Sequence, residues 1–119
     1  MKLKYSDLTS KEKAIICNGC GGKGSIINPP NFMFTASCNH HDFNYWRGGT
    51  EVDRLKADWR FLKAMLRDSL YIENLAFFIS HIVIACLYFI AVRIAGWNYF
   101  NYGKYKTLKD LKKECEEIK

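Results

Sequence analysis

The uninterrupted apolar run from Leu75 to Val92 constrains the fold of this chain of 119 residues more than any other feature. Only Ser80 and His81 are polar within it. Because about 20 apolar residues span a bilayer, a helix over residues 74–97 could insert into or cross a membrane. A chain this short can bury only one core, and a central helix that touches every other element can also be apolar on most faces. Both interpretations stay open.

Two more helices are predicted on either side of Gly48-Gly49. The first covers about Thr35 to Arg47, and the second about Thr50 to Leu70. Glycine is needed at such a helix end, where the backbone turns left-handed. Thr50 and Asp53 resemble a capping box for the second helix. Its apolar residues recur at steps of three and four, which predicts one stripe facing a core: Val52, Leu55, Trp59, Leu62, Leu66 and Leu70.

The rest of the chain also favours helices over strands. Residues 6–16 can form a short helix, with Ser6 or Thr9-Ser10 as its cap, and the glycines and prolines of 17–35 predict a loop. The segment 104–119 predicts an amphipathic helix that docks either on the domain or on a membrane. We therefore expect a mainly α fold in a single domain, 1–119. The tail's apolar positions are Tyr105, Leu108, Leu111, Cys115 and Ile118.

Charge and cysteine usage bear on partners and location. The formal net charge of +6 favours an acidic partner, but the basic residues form no dense tract, so nucleic acid is not expected. The N-terminus lacks the apolar stretch of a signal peptide. We expect association with a membrane, peripherally or through residues 75–92, rather than secretion. Reduced thiols are expected for the five cysteines, with one bridge from Cys17 or Cys20 to Cys38 as the alternative.

The pair His41-Asp42 is the strongest indication of chemistry. Adjacent side chains on a helix diverge by about 100°, so one can face a reacting water while the other faces a metal. The short Gly48-Gly49 connection makes the two helices antiparallel, and Asp58 then lies opposite His41. Asp58 is predicted to orient the His41 ring through one nitrogen, which leaves the other to act as a general base. Tyr45, one helical turn after His41, could hydrogen-bond the same carboxylate.

A calcium site is predicted beside this pair. Calcium accepts backbone carbonyls and a bidentate carboxylate at flexible geometry, and glycines in residues 20–24 permit carbonyls to turn inward. Asp42 would complete the site with two oxygens. The bound cation would stabilise a developing oxyanion, with the Gly22 N–H as an additional donor.

These residues together resemble a known signature. The pattern Cys-x-x-His-Asp-x-x-Tyr looks like the active site of the phospholipase A2 superfamily, and it most resembles short bacterial and phage-encoded members with few disulfides. The segment 18–65 carries the resemblance. The matching stretches are Asn18 to Gly21, Cys38 to Asp42 with Tyr45, Gly48-Gly49, Asp53-Arg54 and Ala57-Asp58.

The resemblance implies a specific reaction. His41 would deprotonate a water that attacks the sn-2 ester of a glycerophospholipid at a membrane surface, while Asp58 orients His41 and Tyr45 supports the aspartate. Calcium would be held by Asp42 and loop carbonyls. Two registers of the loop are possible. We prefer carbonyls from Cys20, Gly22 and Gly24, which keeps glycine at two demanding positions, over those from Gly19, Gly21 and Lys23.

Two other classes of function are also considered. Cys17, Cys20, Cys38 and His40 could form a structural zinc site in a module that binds nucleic acid. That alternative gives no role to Asp42 or Asp58. A catalytically silent, membrane-binding protein on the same scaffold is the other. His40 is expected to face solvent, and His81 to be a satisfied residue within the apolar helix.

Overall fold

A computed structural model describes residues 2–17 and 34–118, and over these ranges the chain is mainly helical, which confirms the predicted fold class. The glycine-rich segment 18–33, with the predicted calcium loop, lies outside the described residues. A short 3-10 turn, Tyr5–Asp7, precedes the first α-helix, and another, Gly96–Asn98, follows the fourth. The α-helices of the described ranges are α1 (Ser10–Ile16), α2 (Thr35–Arg47), α3 (Glu51–Ser69), α4 (Leu75–Ala95) and α5 (Leu108–Ile118).

The turn between α2 and α3 has the predicted construction. Gly48 and Gly49 have φ angles of 78° and 131°, which lie in the region that favours glycine. Thr50 caps α3 by accepting a hydrogen bond from the Asp53 N–H, and the Asp53 carboxylate accepts one from the Thr50 N–H. At the N-terminus of α1, Thr9 forms the cap rather than Ser6. These contacts confirm the capping box and the tight antiparallel connection.

The prediction of which face of α3 packs into the core is wrong. Val52, Leu55 and Trp59 are each about half exposed, and Leu70 more so, while Leu62 and Leu66 only flank the core. The residues that are buried lie one position away along the helix, a rotation of about 100°. Periodicity identified the apolar stripe of α3, but the polar side chains Arg54 and Asp58 occupy the interior face instead. The buried residues of α3 are Arg54, Ala57, Asp58, Phe61, Met65 and Ser69.

Helix α4 packs on α3 along one stripe only. Ala85 is its single buried residue, while Ile84, Tyr88 and Val92 are half-buried against the core formed by Phe34, Cys38, Phe61 and Met65. The alternative of a helix buried on most faces is therefore wrong. The segment Leu75–Asn98 is the one described helix that is long and apolar enough to cross a membrane. Its exposed large side chains include Leu75, Phe77, Ile79, Val83, Leu87, Ile90, Ile94 and Trp97.

The polar residues inside α4 are satisfied by the helix itself. The Ser80 hydroxyl donates to the carbonyl of Ala76 at 2.9 Å, and the His81 Nδ1–H donates to the carbonyl of Phe77 at 2.8 Å. This confirms the prediction for His81. Both donors are satisfied by carbonyls of the same helix, as a lipid environment requires of polar groups.

The segment after α4 folds back over the α2–α3 turn. Asn101 N–H donates to the Tyr45 carbonyl at 3.2 Å, and Asn101 carbonyl accepts from Gly49 N–H at 3.1 Å. Helix α5 then docks on the domain, because Leu111 is fully buried against Leu8 and Phe43. Of the two alternatives for the tail, docking on the domain is the one observed.

The cysteines differ from the expectation of reduced thiols at one position. Cys38 is disulfide-bonded. Cys17, Cys86 and Cys115 are free. The expectation of a reduced thiol is therefore wrong for Cys38, and the alternative of a bridge at Cys38 is the one observed, although Cys17 is not its partner. The Cys38 side chain is buried in the core next to Phe34 and Met65.

Candidate active site

Helices α2 and α3 bring His41, Asp58 and Tyr45 together as their spacing predicts. His41 Nε2 lies 2.8 Å from Asp58 Oδ1, and the Tyr45 hydroxyl donates to the same oxygen at 2.6 Å. His41 and Tyr45 are one helical turn apart on α2, and Asp58 faces both from α3. The predicted contacts are confirmed. Since an ionised carboxylate can only accept hydrogen bonds, the proton of the neutral His41 ring lies on Nε2.

The other ring nitrogen, Nδ1, is then a proton acceptor. Among residues 2–17 and 34–118 no hydrogen bond engages Nδ1 of His41. The ring is held from both sides, with its centroid 4.4 Å from the stacked ring of Phe61 and 4.2 Å from that of Tyr45. Packing and one hydrogen bond thus hold the ring in one orientation, which is what a general base requires.

The second oxygen of Asp58 is bound by a residue that sequence reasoning missed. Arg93, near the end of α4, donates from Nη1 to Asp58 Oδ2 at 2.7 Å. Arg54 Nη1 lies 3.7 Å from the same oxygen. The only available signal was that Arg93 interrupts the apolar pattern of α4. Nothing in the local pattern connects it with an aspartate on another helix.

The surroundings of Asp58 keep this carboxylate ionised. Burial on its own would raise the pKa of Asp58, but hydrogen bonds from His41, Tyr45 and Arg93 outweigh it and hold the pKa below its usual value. Burial, together with the hydrogen bond to Asp58, raises the pKa of Tyr45. Tyr45 therefore acts as a hydrogen-bond donor to Asp58, and Asp58 can stabilise an imidazolium at His41.

An outer set of ion pairs holds both arginines in place. Arg54 binds Glu51 with two nitrogens, Nη2 at 2.7 Å from Oε1 and Nε at 3.0 Å from Oε2. Arg93 Nη2 and the Tyr102 hydroxyl reach the same carboxylate at 3.3 and 2.5 Å. The hydrogen bonds from Arg54 and Tyr102 lower the pKa of Glu51 to about 2. The positive charge around Asp58 is thereby partly balanced.

Gly96 gives Tyr45 the space it occupies. A Cβ at this glycine would overlap the Tyr45 hydroxyl and lie 3.0 Å from Cε2 of the ring. Phe100 also packs edge-on against Tyr45, with ring centroids 5.2 Å apart. The segment that follows α4 therefore fixes the tyrosine that supports Asp58.

Asp42 is half-buried on α2 and lies near Cys17, the last described residue before segment 18–33. Cys17 Sγ donates to the Asn39 carbonyl at 3.2 Å. Burial, followed by the nearby charge of Asp42, raises the pKa of Cys17 to about 11. Asp42 thus lies close to the point where segment 18–33 begins. The other predicted ligands, the carbonyls of Cys20, Gly22 and Gly24, lie outside the described residues.

The zinc alternative loses one of its ligands. Because Cys38 is disulfide-bonded, its sulfur is not a thiolate that could bind zinc. His40 is exposed, as predicted, and its ring lies against Tyr5 with centroids 3.9 Å apart. In the described part of the chain, no cluster of three histidine, cysteine or acidic side chains could hold a metal ion.

The arrangement combines an oriented imidazole, a buried ionised carboxylate and a nitrogen able to accept a proton from water. Such a set can activate water for hydrolysis of an ester. No family model matches this chain, and no curated protein or solved structure is significantly similar to it.

Proposed function

We propose that this protein is a calcium-dependent hydrolase of the sn-2 ester of glycerophospholipids, with His41 as the general base. The observation that carries the proposal is the bond of 2.8 Å between His41 Nε2 and Asp58 Oδ1, which leaves Nδ1 to accept a proton. The order and spacing of Cys38, His41, Asp42, Tyr45 and Asp58, which resemble the phospholipase A2 signature, add support.

The reaction proceeds through a water molecule at His41 Nδ1. The ring takes one proton as the water oxygen attacks the ester carbonyl carbon, and the resulting imidazolium is stabilised by Asp58. When the bond from that carbon to the glycerol oxygen breaks, His41 returns the proton to the leaving oxygen. Fatty acid and lysophospholipid are the products. Tyr45 and Arg93 keep Asp58 oriented throughout.

The chemistry of the donor set fits calcium. Asp42 contributes a carboxylate close to Cys17, after which the glycine-rich segment 18–33 begins, and calcium prefers carboxylate and carbonyl oxygens as ligands. Calcium held by Asp42 and the carbonyls of Cys20, Gly22 and Gly24 would supply positive charge that polarises the ester carbonyl. The Gly22 N–H would add a donor for the oxyanion.

The exposed apolar surface supports a membrane as the partner. On α4, Leu87 is 58% exposed, and on α3 Trp59 is 53% exposed. The rings of Trp59 and Phe89 lie 6.1 Å apart, so the stripe on α3 continues the exposed surface of α4. Exposed apolar side chains that continue across two helices are typical of an interaction site.

The packing of α3 on α4 favours a helix that lies along the membrane rather than one that spans it. Helix α4, with 21 residues, is long enough to span a bilayer. Charged residues are exposed along much of α3, however, and a spanning α4 would carry them into hydrocarbon at roughly 2.5–3.5 kcal/mol each near the centre. With α4 lying in the interface, its apolar face contacts lipid and these charges stay in water. The exposed basic residues are Lys56, Arg60, Lys63 and Arg67.

The proposal is tested with the whole protein and vesicles of mixed phosphatidylcholine and phosphatidylglycerol. We expect fatty-acid release that requires calcium, stops with a chelator, and falls by about 10²–10⁴-fold in His41→Asn. His81→Asn is the matched control, because His81 is bonded to the Phe77 carbonyl and not to Asp58. It is expected to keep wild-type activity.

Two results would overturn the proposal. One is hydrolysis that persists in His41→Asn or with the chelator. The other is the absence of hydrolysis, with calcium present, by wild-type protein that circular dichroism shows to be folded.

A further inference from the structure

A cavity of about 430 Å³ opens between α2 and α3, and His41 forms part of its wall. This volume is within the range of about 300–1,000 Å³ that is typical of ligand pockets. The cavity lies beside the proposed base, so a molecule that binds there is close to the reacting atoms.

The charge of the cavity wall is strongly unbalanced. Among the described residues, the charged side chains of the wall are Lys4, Arg47, Arg60 and Arg67, and one carboxylate, Asp68. That carboxylate accepts a hydrogen bond of 2.6 Å from the Ser37 hydroxyl and lies 3.9 Å from Nε of Arg67, so it offsets one of the four positive charges. Arg60 forms no ion pair in the part of the chain that the structure describes. The cavity therefore attracts a negatively charged group.

The pKa values of two groups in the cavity wall also indicate an excess of positive charge. The pKa of Arg47 is lowered by burial and then by the charge of Arg60. The pKa of His40 is lowered by burial and then by the charges of Lys13 and Arg67. Like charges that disfavour one another in this way are stabilised by an anion placed among them.

Arg47 is also held in place before any ligand binds. Its Nη1 donates to the Leu3 carbonyl at 3.2 Å, and its guanidinium lies over the Phe43 ring, 5.4 Å from the centroid. Its Nε is buried and has no hydrogen-bond partner within the described ranges. A guanidinium fixed in this way loses little freedom when an anion binds, which favours affinity.

We infer that the cavity between α2 and α3 binds the negatively charged headgroup of an anionic phospholipid, and that Arg47, Arg60 and Arg67 give the enzyme a preference for such lipids over zwitterionic ones. Arginine suits this role because its planar fork matches phosphate oxygens. The inference rests on the proposed function, since it names the substrate class of the same site.

The test uses short-chain lipids dissolved as monomers, which separates headgroup recognition from attraction to a charged membrane surface. The substrates are dihexanoyl phosphatidylglycerol and dihexanoyl phosphatidylcholine, each with calcium. We expect the wild-type protein to hydrolyse the anionic lipid about tenfold faster. The double variant Arg60→Gln/Arg67→Gln is expected to lower that ratio by about fivefold or more.

Lys56→Gln/Lys63→Gln is the matched control. It removes the same charge from exposed positions of the same helix that do not line the cavity. It is expected to change the ratio by less than about twofold, as for rim charges. Equal rates for both lipids in the wild-type protein would overturn the inference. So would an equal loss of preference in the two double variants.

A binding measurement distinguishes a failure of this inference from a failure of the proposed function. If neither monomeric lipid is hydrolysed, the vesicle assay alone decides the proposed function, and the cavity is then tested by calorimetric titration with the same two monomeric lipids. Tighter binding of the anionic lipid, lost in Arg60→Gln/Arg67→Gln, would support the cavity. Equal or absent binding would overturn it. Inorganic phosphate is titrated in parallel, and phosphate binding as tight as that of the anionic lipid would overturn the lipid assignment.

Discussion

The interface between α2 and α3 and the outer face of α4 reverse the usual distribution of polar and apolar side chains. Inside, Asp58 is fully buried with arginine, tyrosine and histidine around it. Outside, α4 exposes isoleucine, leucine, valine and phenylalanine along most of its length. Soluble proteins bury such apolar residues and rarely bury charges without a functional reason.

The difference indicates what each region is for. The interior charges are paired and hydrogen-bonded, an arrangement that keeps one carboxylate ionised beside a histidine. The exterior apolar face has no protein partner in the described structure, and lipid is the partner that we propose for it. Arg93 joins the two regions, because it lies near the end of α4 and bonds to Asp58.

Among changes at the candidate site, the largest effect on stability is expected from removal of the buried charge. Asp58→Ala would leave Arg93 and Tyr45 without their acceptor, and breaking a buried ion pair in this way costs about 3–5 kcal/mol of unfolding free energy. Urea denaturation followed by circular dichroism measures it. A loss under about 1 kcal/mol would show that the interior network is not structurally important.

Two substitutions on α4 compare an exposed residue with a buried one in the same helix. Leu87→Glu changes an exposed residue and is expected to weaken binding to phospholipid vesicles by about 1.5–3 kcal/mol, the value of one buried leucine. Its unfolding free energy should change by less than about 0.5 kcal/mol. Ala85→Glu, two residues away in the buried stripe, should instead unfold the protein. Vesicle sedimentation and thermal melting measure these effects. Unchanged vesicle binding in Leu87→Glu would contradict the assignment of this face to lipid.

Gly96→Ala tests the support given to Tyr45. Gly96 has φ of −64°, which alanine adopts readily, so any effect comes from the overlap of the new methyl with Tyr45. Such overpacking is expected to cost about 1–3 kcal/mol. Hydrolysis should also slow as Tyr45 shifts from Asp58. Tyr45→Phe/Gly96→Ala is the control, because without the hydroxyl the added methyl should cost less. An additive result in the double variant would argue against direct contact.

The smallest effect is expected on the pH at which the protein unfolds in acid. The pKa of Asp58 is lowered in the folded state, so its stabilising contribution is present above the usual carboxyl pKa and is lost as the pH falls through the lowered value. Arg93→Gln removes one cause of the lowering, and the midpoint of acid unfolding should rise by less than about one pH unit. Arg93→Lys, which keeps the charge, should shift it less. A midpoint that does not move in Arg93→Gln would remove Arg93 from the network.

Contacts that depend only on local geometry could be predicted from the sequence. The distance of His41 and Asp58 from the glycine turn predicted their pairing, and the helical repeat predicted the position of Tyr45. The capping box at Thr50 followed for the same reason. Each of these depends on one helix or one short connection.

Contacts between distant segments could not be predicted in the same way. Arg93 is separated from Asp58 by a full helix, and nothing local selects its partner. The stripe through Val52, Leu55 and Trp59 was assigned to the core because periodicity identifies an apolar face without saying whether protein or lipid covers it. The disulfide bond of Cys38 was predicted only as an alternative to free thiols, because spacing permits such a bridge without requiring it.

The most direct test of the central claim is to follow hydrolysis of a phospholipid with different acyl chains at sn-1 and sn-2 in water enriched in ¹⁸O. With calcium present, we predict that mass spectrometry finds only the sn-2 fatty acid released, with the label in its carboxylate. Release of the sn-1 chain, or of unlabelled fatty acid, would contradict attack by a water activated at His41 on the sn-2 ester.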